Sequence, residues 1–378
     1  MSLSYNANES PGKYRTNPPP PPSLSSLPDE MVLRCLALVP RIYHLSLSWV
    51  SKDLRALVRS PELTKLRPKK SSLYVCFREY YNDPNFHWFT LRPIEETETT
   101  TEYGLVPNPT PFSPHNYGSS TVVVGSNIYF IGGCREASTD LWILDTQSGS
   151  ITQGPSMTVR RVKGETAVGV VDGKIYVIGG GVSDYGMEVE VYDLKSETWE
   201  SAGMEKVRKI SRCCASVERK IFMVEFEEIN VYNPRECGRE RLALMVSQRL
   251  ERGRKDKLSE IERCVCVVED VLYACFGWSG IMWFNTKLNV WRSLVGRDGK
   301  QLFYLYADSM AEYEGRLVVF YSNGIPNGND VAVARNVLCE FVSLHRAGET
   351  ICGTIDWSGI VATVPYSFRF LHCLSVSE

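Results

Sequence analysis

The chain has 378 residues, of which 43% are hydrophobic and 23% are charged, and its formal net charge is -2. This length exceeds one typical domain and the composition supports a buried core, so we expect a small module plus one large domain. The near-neutral charge gives the whole molecule no preference for nucleic acid or for an anionic membrane, and no apolar run reaches the ~18 residues that a membrane span needs.

Residues 1–23 form a polar, proline-rich leader that includes the run Pro18 to Pro22, and we predict that it is disordered. It lacks a basic region followed by an apolar stretch, so it does not read as a secretory signal. We therefore expect a cytoplasmic and/or nuclear protein whose 12 cysteines are thiols. There is no C-x-x-C pair, and the five histidines are scattered, so neither a metal site nor a cofactor is predicted.

Residues 24–67 read as three short helices. Pro28 followed by two acids is a helix-start signal, because proline fits the first turn and acidic side chains complement the helix dipole. Val32 and Leu36 have helical spacing in the first helix, and Leu45 and Val50 fall in the second. Such a unit has more apolar residues than its small core can cover, so it needs a partner surface.

This segment resembles an F-box. The resemblance rests on Leu27-Pro28-Asp29-Glu30, followed by Leu45-Ser-Leu-Ser-Trp49-Val50-Ser51-Lys52 and then by Arg55 and Leu57. It implies docking on the Skp-type adaptor of cullin–RING ubiquitin ligases. The residues that we predict to contact the adaptor are Leu27, Pro28, Val32, Leu36, Leu45 and Val50. Trp49 departs from the usual pattern, which has a smaller aliphatic residue there; the alternative is an ordinary three-helix cap on the next domain.

From Ser71 onward the sequence changes to short alternating β runs with a repeat. A strand followed by a glycine pair recurs after 47 residues, with the second glycine at Gly133 and at Gly180. A later strand of the repeat ends in Asp193 in one copy and Asn285 in another, and a tryptophan follows each of these by six residues, at 199 and 291. Repeats of this kind resemble kelch-type β-propeller blades.

We predict six blades, with second strands near residues 74, 130, 177, 223, 274 and 319. The strand at 72–77 has no first strand before it, and the apolar strand at 370–376 has nothing after it. Pairing the two closes the ring over residues 71–378 and removes exposed sheet edges. Trp199 and Trp291 are expected to be equivalent residues, both buried between blades.

An F-box followed by degenerate kelch repeats resembles the plant F-box/kelch-repeat proteins over residues 24–378. The resemblance implies a substrate-recognition subunit of an SCF-type (Skp–cullin–F-box) ubiquitin ligase that has no catalytic residue. Two alternatives stay open: a non-catalytic kelch scaffold outside a ligase, and a kelch-type enzyme. The sequence lacks a phosphate-binding loop, a nucleophile elbow and a His-Glu-x-x-His motif, so we predict that it is not an enzyme.

The loops that join one predicted blade to the next contain many more basic than acidic residues. We expect them to share one face of the ring with the loops that join the second and third strands of each blade. Candidate substrate-binding residues on this face are Arg160, Arg161, Arg208, Lys209, Arg212, Arg252, Arg254 and Trp278. Arginines grip carboxylates or phosphates in a bidentate way, so the face suits an acidic or phosphorylated protein segment. A merely solvated rim is the alternative, and nucleic acid is the weaker third reading.

Overall fold

A computed structural model describes a set of ranges that together span most of the chain. They are residues 27–39, 44–66, 71–79, 86–96, 101–108, 120–133, 136–161, 166–181, 187–205, 213–225, 228–236, 242–251, 254–257, 262–302, 307–326 and 332–377. The predicted leader at 1–23 lies outside them. Among the helices described in these ranges, none is both long and apolar enough to cross a membrane.

Four short helices make up the N-terminal module: α1 (Asp29–Leu38), α2 (His44–Val50), α3 (Lys52–Val58) and α4 (Pro61–Leu66). The first turn of α1 contains two acidic residues directly after Pro28. The hydroxyl of Ser51 caps α3 by accepting the amide of Leu54 at 3.0 Å. The sequence predicted only three helices, because Ser60-Pro61 read as a break. Proline is instead the first residue of α4, a position where its missing N–H costs nothing.

The core of this module is small. Val32, Leu33 and Leu36 of α1 and Leu63 of α4 are its buried residues, and side chains from α2 and α3 pack against them. Because α1 and α4 meet through these four residues, the inward side of α1 is fixed. Met31, Cys35 and Leu38 of the same helix are left exposed.

The described residues after the helical module form six sheets, and each sheet contains a blade of four antiparallel strands. We number the blades in chain order. Blade 1 contains β1 (Ser71–Glu79), β2 (Phe86–Glu96) and β3 (Thr101–Pro107), and blade 2 contains β4 (Ser120–Val124), β5 (Asn127–Ile131), β6 (Leu141–Asp145) and β7 (Ser150–Gln153). Blade 3 contains β8 (Thr166–Val171), β9 (Lys174–Gly179), β10 (Met187–Asp193) and β11 (Thr198–Glu205). Blade 4 contains β12 (Cys214–Val217), β13 (Lys220–Val224), β14 (Glu228–Tyr232) and β15 (Leu242–Val246).

Blades 5 and 6 contain additional strands. The hairpin of β16 (Gln248–Glu251) and β17 (Arg254–Lys257) precedes the four strands of blade 5, which are β18 (Glu262–Val268), β19 (Val271–Phe276), β20 (Gly280–Asn285) and β21 (Val290–Ser293). Blade 6 contains β22 (Val295–Gly296), β23 (Ser309–Tyr313), β24 (Arg316–Pro326), β25 (Ala332–Ala347) and β26 (Thr350–Pro365). The last strand, β27 (Phe368–Ser377), returns to blade 1. The six second strands, β1, β5, β9, β13, β19 and β24, include the predicted positions.

The ring is closed by the two ends of the repeat region. β27 pairs antiparallel with β1, from Ser71 opposite Ser377 to Glu79 opposite Phe368, with a bulge at Cys76/Phe77. β27 thereby becomes the innermost strand of blade 1, and the innermost strands of all six blades contact their neighbours around the ring. The pairing expected from the sequence of the two ends is therefore present.

Each junction between blades is filled by one hydrophobic cluster. Six clusters lie in the repeat region, and each is built from the facing sides of two adjacent blades, including blades 6 and 1. Tyr103 of β3 in blade 1, for example, contacts Phe341 of β25 in blade 6, with ring centroids 4.6 Å apart. Among the described residues, the junction between blades 6 and 1 is filled by a cluster as the other five are, so none of the described blades presents an open apolar flank.

The two tryptophans that the repeat made equivalent are not equivalent. Trp291 on β21 has 0% of its surface exposed and packs between Phe276 and Phe284. Trp199 on β11 is only partly buried, and its indole N–H donates to the Pro155 carbonyl at 2.8 Å. The difference arises from β16, which pairs in parallel with β21 and covers it, whereas β11 is the last strand of its sheet.

Candidate functional site

An exposed apolar stripe runs along α1. Met31, Cys35 and Leu38 follow one another at intervals of four and three residues, so they share one face of the helix. Leu38 is 87% exposed and Met31 is 49% exposed, while Cys35 is exposed and Leu27 extends the same spacing by one turn at 41%. We call these four residues the α1 stripe. It lies beside, and not within, the inward face formed by Val32, Leu33 and Leu36.

A second exposed apolar feature ends α2. Trp49 and Val50 are each 71% exposed. The following corner is held by polar residues of the F-box-like motif: Arg55 donates its Nε to the Ser48 carbonyl at 2.9 Å, and Ser51 caps α3. The motif residues therefore hold in place the turn that presents Trp49 and Val50.

The six predicted adaptor-binding residues divide into two groups. Leu27, Pro28 and Val50 are exposed, as a docking surface requires. Val32 and Leu36 are 4% and 3% exposed and belong to the core, so their assignment to the docking surface is wrong. Helical spacing located an apolar face of α1, but α1 has two such faces and the sequence does not say which one packs inward. Leu45 lies in α2, and its side chain is outside the described part of the chain.

On the propeller, the loop between β7 and β8 is fixed by a buried carboxylate. Glu190 of β10 accepts the Thr158 amide at 2.7 Å, the Thr158 hydroxyl at 2.6 Å and the Val159 amide at 3.3 Å. It also accepts Arg161 Nη2 at 2.9 Å. Burial by itself raises the pKa of Glu190, but the hydrogen bonds from Thr158 and Arg161 outweigh it and hold that pKa below its ordinary value.

Arg161 is a structural residue, and its prediction as a substrate-binding residue is wrong. It is 0% exposed, and besides Glu190 its guanidinium donates to the carbonyls of Gly179 and Glu188. Its own carbonyl accepts the amides of Gly133 and Ser138, both at 2.9 Å. Arg161 thus joins blades 2 and 3. This role could not be predicted from the sequence, because Arg161 stands in a basic, loop-like stretch.

A glycine accommodates this junction. Gly132 has φ +74°, and a Cβ there would lie 2.7 Å from the Arg161 carbonyl oxygen. The first glycine of the repeat's pair is therefore required both for its left-handed backbone and for the close approach of the next loop.

Arg160 precedes this anchor in the chain and is exposed. Its neighbours Val159 and Arg161 are both tied to Glu190, so the backbone that carries Arg160 is held on either side. A side chain on a fixed backbone loses less conformational entropy when it binds a partner.

Trp278 stands on an anchored turn between β19 and β20. The side chain is 85% exposed. The next residue, Ser279, is buried; its hydroxyl accepts Arg249 Nη1 at 2.9 Å and its carbonyl accepts Gln301 Nε2 at 2.6 Å. The indole thus lies in solvent above a turn that two flanking segments hold. In an antiparallel blade, this turn and the loop that carries Arg160 emerge at the same face of the ring.

The other predicted substrate-binding residues are not placed. Arg208, Lys209, Arg212 and Arg252 lie outside the described residues, and the side chain of Arg254 in β17 is also not described. The exposed side chains of the same strand include Lys255 and Lys257. The sequence showed a basic stretch here but did not indicate that it forms a hairpin on the edge of blade 5.

A cavity of about 290 Å³ lies where the innermost strands meet. All six blades contribute to its lining, and Thr121, Arg263, Asp308, His372 and Cys373 are among the polar side chains there. Thr121 Oγ1 is 3.2 Å from His372 Nδ1. In the described ranges, no group of three or more His, Cys, Asp or Glu side chains is arranged to hold a metal ion.

Comparison with known families and proteins agrees with this architecture. The F-box domain model matches residues 24–66, and the model described as FKB95, Kelch-repeats domain matches residues 88–362. A putative F-box/kelch-repeat protein of Arabidopsis thaliana is 43% identical, over 94% of this chain and 98% of its own length. A second F-box/kelch-repeat protein of that plant is 37% identical, over 98% of this chain and 99% of its own.

A solved structure titled "Structure of YjhT" matches with a TM-score of 0.44 at 10% sequence identity, covering 76% of this chain and 99% of that one. The family assignment rests instead on the domain models and the plant relatives, which extend over both the helical module and the propeller. An F-box joined to a kelch propeller is generally a non-enzymatic adaptor architecture. The chain belongs to the F-box/kelch-repeat protein family.

Proposed function

We propose that this protein is the substrate-recognition subunit of an SCF-type E3 ubiquitin ligase. Its F-box docks on the Skp-type adaptor, and through it on the cullin–RING ligase, while the propeller binds the target protein. The observation that carries the proposal is the apolar surface of the F-box, formed by the α1 stripe with Trp49 and Val50, outside a core that is already filled. Exposed apolar surface of this kind marks a protein interaction site.

In this role the protein supplies no catalytic group. It acts by holding the target near the ubiquitin-carrying enzyme, which raises the local concentration of the target. Such a ligase subunit works in the cytoplasm, the nucleus or both.

The proposed target is a protein with an acidic or phosphorylated segment. Arg160 and Trp278 support this proposal, because each is exposed and each stands on a segment that hydrogen bonds hold. Tryptophan and arginine are the residue types that contribute most to binding energy at interfaces. The exposed lysines of β17 add positive charge on blade 5.

Affinity capture with two pairs of substitutions separates the two halves of the proposal. Leu27→Arg with Pro28→Ala changes exposed residues only, and we expect it to lose the adaptor but keep the target. Trp278→Ala with Arg160→Ala should lose the target but keep the adaptor. Both variants should melt like the wild type, because neither pair lies in a core cluster.

The outcomes decide between the proposal and its alternatives. If the protein is a ligase subunit, blocking cullin activity should increase the amount of target that is captured with it, because the target is then not degraded. If the first variant retains the adaptor, the docking surface is assigned wrongly. If the wild type captures a target but no adaptor, the protein is a kelch scaffold outside a ligase.

A further inference from the structure

Two cysteines face each other across the inner strands of blade 5. Cys264 of β18 is the register partner of Cys275 of β19. Residues directly opposite in an antiparallel pair project from the same side of the sheet, with Cβ atoms ~4.5–5.5 Å apart. This spacing approaches the separation that a disulfide spans, since bridged cysteines have Cα atoms ~4.4–6.8 Å apart.

Both sulfur atoms contact the backbone of the same residue, Ala307, which lies just before β23 of the neighbouring blade. The Ala307 amide lies 3.3 Å from Cys275 Sγ, and Cys264 Sγ lies 3.8 Å from the Ala307 carbonyl oxygen. The strand register and these two contacts place both sulfur atoms on the same side of the sheet, against the same residue. Their pKa shifts are those of an interacting pair in which Cys264 is the hydrogen-bond donor to Cys275.

The hydrogen bond makes the two thiols chemically unequal. It lowers the pKa of Cys275, which also accepts the Ala307 amide, and it raises the pKa of Cys264 well above the ordinary value, as burial also does. Burial raises the pKa of Cys214 to about 11 and that of Cys373 to about 12, although both line the same cavity. Cys275 thus has more thiolate character than these two cysteines, and as a thiolate it can accept the proton that Cys264 must lose before its sulfur reacts.

The pair can be reached from the central cavity. Cys264 is partly exposed and lines the cavity of about 290 Å³, whereas Cys275 is 0% exposed and lies beside it on the next strand. A small oxidant in the cavity therefore meets Cys264 first, and the sulfur that it oxidises already has a second thiol within contact.

We propose that Cys264 and Cys275 are a redox modification site, at which a hydroperoxide that enters the central cavity converts the two thiols to a cross-strand disulfide. Cys275 first releases its own proton to solvent; as a thiolate it then takes the proton of Cys264 through their hydrogen bond, and the Cys264 sulfur attacks one peroxide oxygen. The O–O bond breaks, a sulfenic acid forms, and the departing hydroxide takes a proton from solvent to become water.

The second step uses the neighbouring thiol. The Cys275 sulfur attacks the Cys264 sulfur, the S–O bond breaks, and the Cys275 proton leaves with the oxygen as water. Two thiols and one hydrogen peroxide thus become one disulfide and two waters. A thiol reductant reverses the change.

Cys266 provides a matched control on the same strand. It lies two residues beyond Cys264, on the same face, but its register partner is Tyr273, and burial raises its pKa. Its distance to Cys275 is that of a diagonal cross-strand pair, ~7–8 Å between residues, which is too long for a bridge.

The test uses the full chain, reduced and then exposed to rising hydrogen peroxide, with remaining thiols alkylated before digestion. Cleavage after Arg263, Glu269 and Lys287 separates the fragment 264–269 from the fragment 270–287, and mass spectrometry detects their cross-link. We expect the link in the wild type and in Cys266→Ser, its loss with dithiothreitol, and its absence in Cys264→Ser and in Cys275→Ser.

Two results would overturn the proposal. One is a folded wild-type chain, as shown by its melting transition, in which Cys264 is oxidised or alkylated while no link to Cys275 forms. The other is a link that disappears in Cys266→Ser and persists in Cys264→Ser. Fragment ions between residues 264 and 266 of the wild-type peptide identify the bridged sulfur even where a variant fails to fold.

Discussion

The F-box and the propeller differ in how much of their apolar surface they bury. The F-box buries four residues in its core and leaves Met31, Leu38, Trp49 and Val50 in solvent. The propeller closes its ring and fills all six junctions between blades with hydrophobic clusters. The large exposed side chains that remain on it include Trp278, which stands on an anchored turn.

Under the proposed function, this contrast distinguishes a module whose exposed apolar surface is covered by a partner from a domain that covers its own apolar surface. A unit of about forty residues cannot bury much of its own apolar surface, so a second protein has to cover the rest. A ring of repeats covers each flank with the next blade, and it needs only one long-range contact to finish. Substitutions in the two regions should therefore fail in different ways.

The largest effect is expected from breaking the ring. Deleting residues 368–378 removes β27, which exposes the inner edge of β1 and opens the cluster shared by blades 6 and 1. Since every other junction depends on a closed ring, we expect aggregation or the loss of a cooperative melting transition rather than fraying at one end. Calorimetry and size-exclusion chromatography check this.

Removing residues 1–11 is the control of equal length, and it should leave the melting transition unchanged. If the chain that lacks residues 368–378 stays monomeric with an unaltered melting transition, β27 is not needed to close the ring.

A second prediction compares the contributions of Trp291 and Trp199 to the stability of the propeller. Trp291→Ala should cost about 3–5 kcal/mol, because it empties a fully buried site between Phe276 and Phe284. Trp199→Ala should cost about 1–2 kcal/mol, since that side chain is only partly buried on the outer strand β11. Urea unfolding measures both. Iodide should quench the fluorescence of Trp199 and not that of Trp291, and equal quenching of the two would count against the covering role of β16.

The buried pair Arg161–Glu190 predicts a pH-dependent difference. Glu190→Gln leaves a buried arginine without its counter-charge, so we expect a loss of about 3 kcal/mol in the free energy of unfolding at pH 7. Because the folded-state pKa of Glu190 is lowered, its stabilisation is complete above the unfolded value of about 4.3 and is lost as the pH falls through the folded value. Urea unfolding of both proteins at several pH values should show the gap closing below about pH 4. A gap that does not change with pH would exclude Glu190 as a charged anchor.

The sequence predicted the strands of the propeller well because their signals are local. Alternation, glycine pairs and the Asp-to-Trp spacing recur within each repeat, so the second strands and the pairing of the two chain ends followed from the repeat itself. The hairpin β16–β17 did not follow, because it is an insertion without a counterpart among the described strands of the other repeats. The hairpin also explains why Trp199 and Trp291 differ in burial, although each follows the Asp or Asn at the end of the preceding strand by six residues.

The roles of individual side chains were harder to predict, because they depend on how the helices and strands pack against one another. Val32 and Met31 are neighbouring apolar residues of α1, and only the packing of α4 decides that Val32 points inward. Arg160 and Arg161 are likewise identical in type, yet one is exposed and the other is buried against Glu190. Both distinctions depend on contacts with distant segments, which a single sequence does not show.

The most direct test of the central claim compares two valines of the F-box. Val50 is 71% exposed and Val32 is 4% exposed, so only Val50 is available to a partner. We predict that Val50→Asp lowers the calorimetric affinity of the purified full chain for a Skp-type adaptor at least tenfold, about 1.4 kcal/mol, with an unchanged melting transition. Val32→Ala should instead lower the melting temperature and leave the affinity of the folded protein close to that of the wild type. If Val50→Asp binds the adaptor as tightly as the wild type does, the exposed apolar surface of the F-box is not the docking surface.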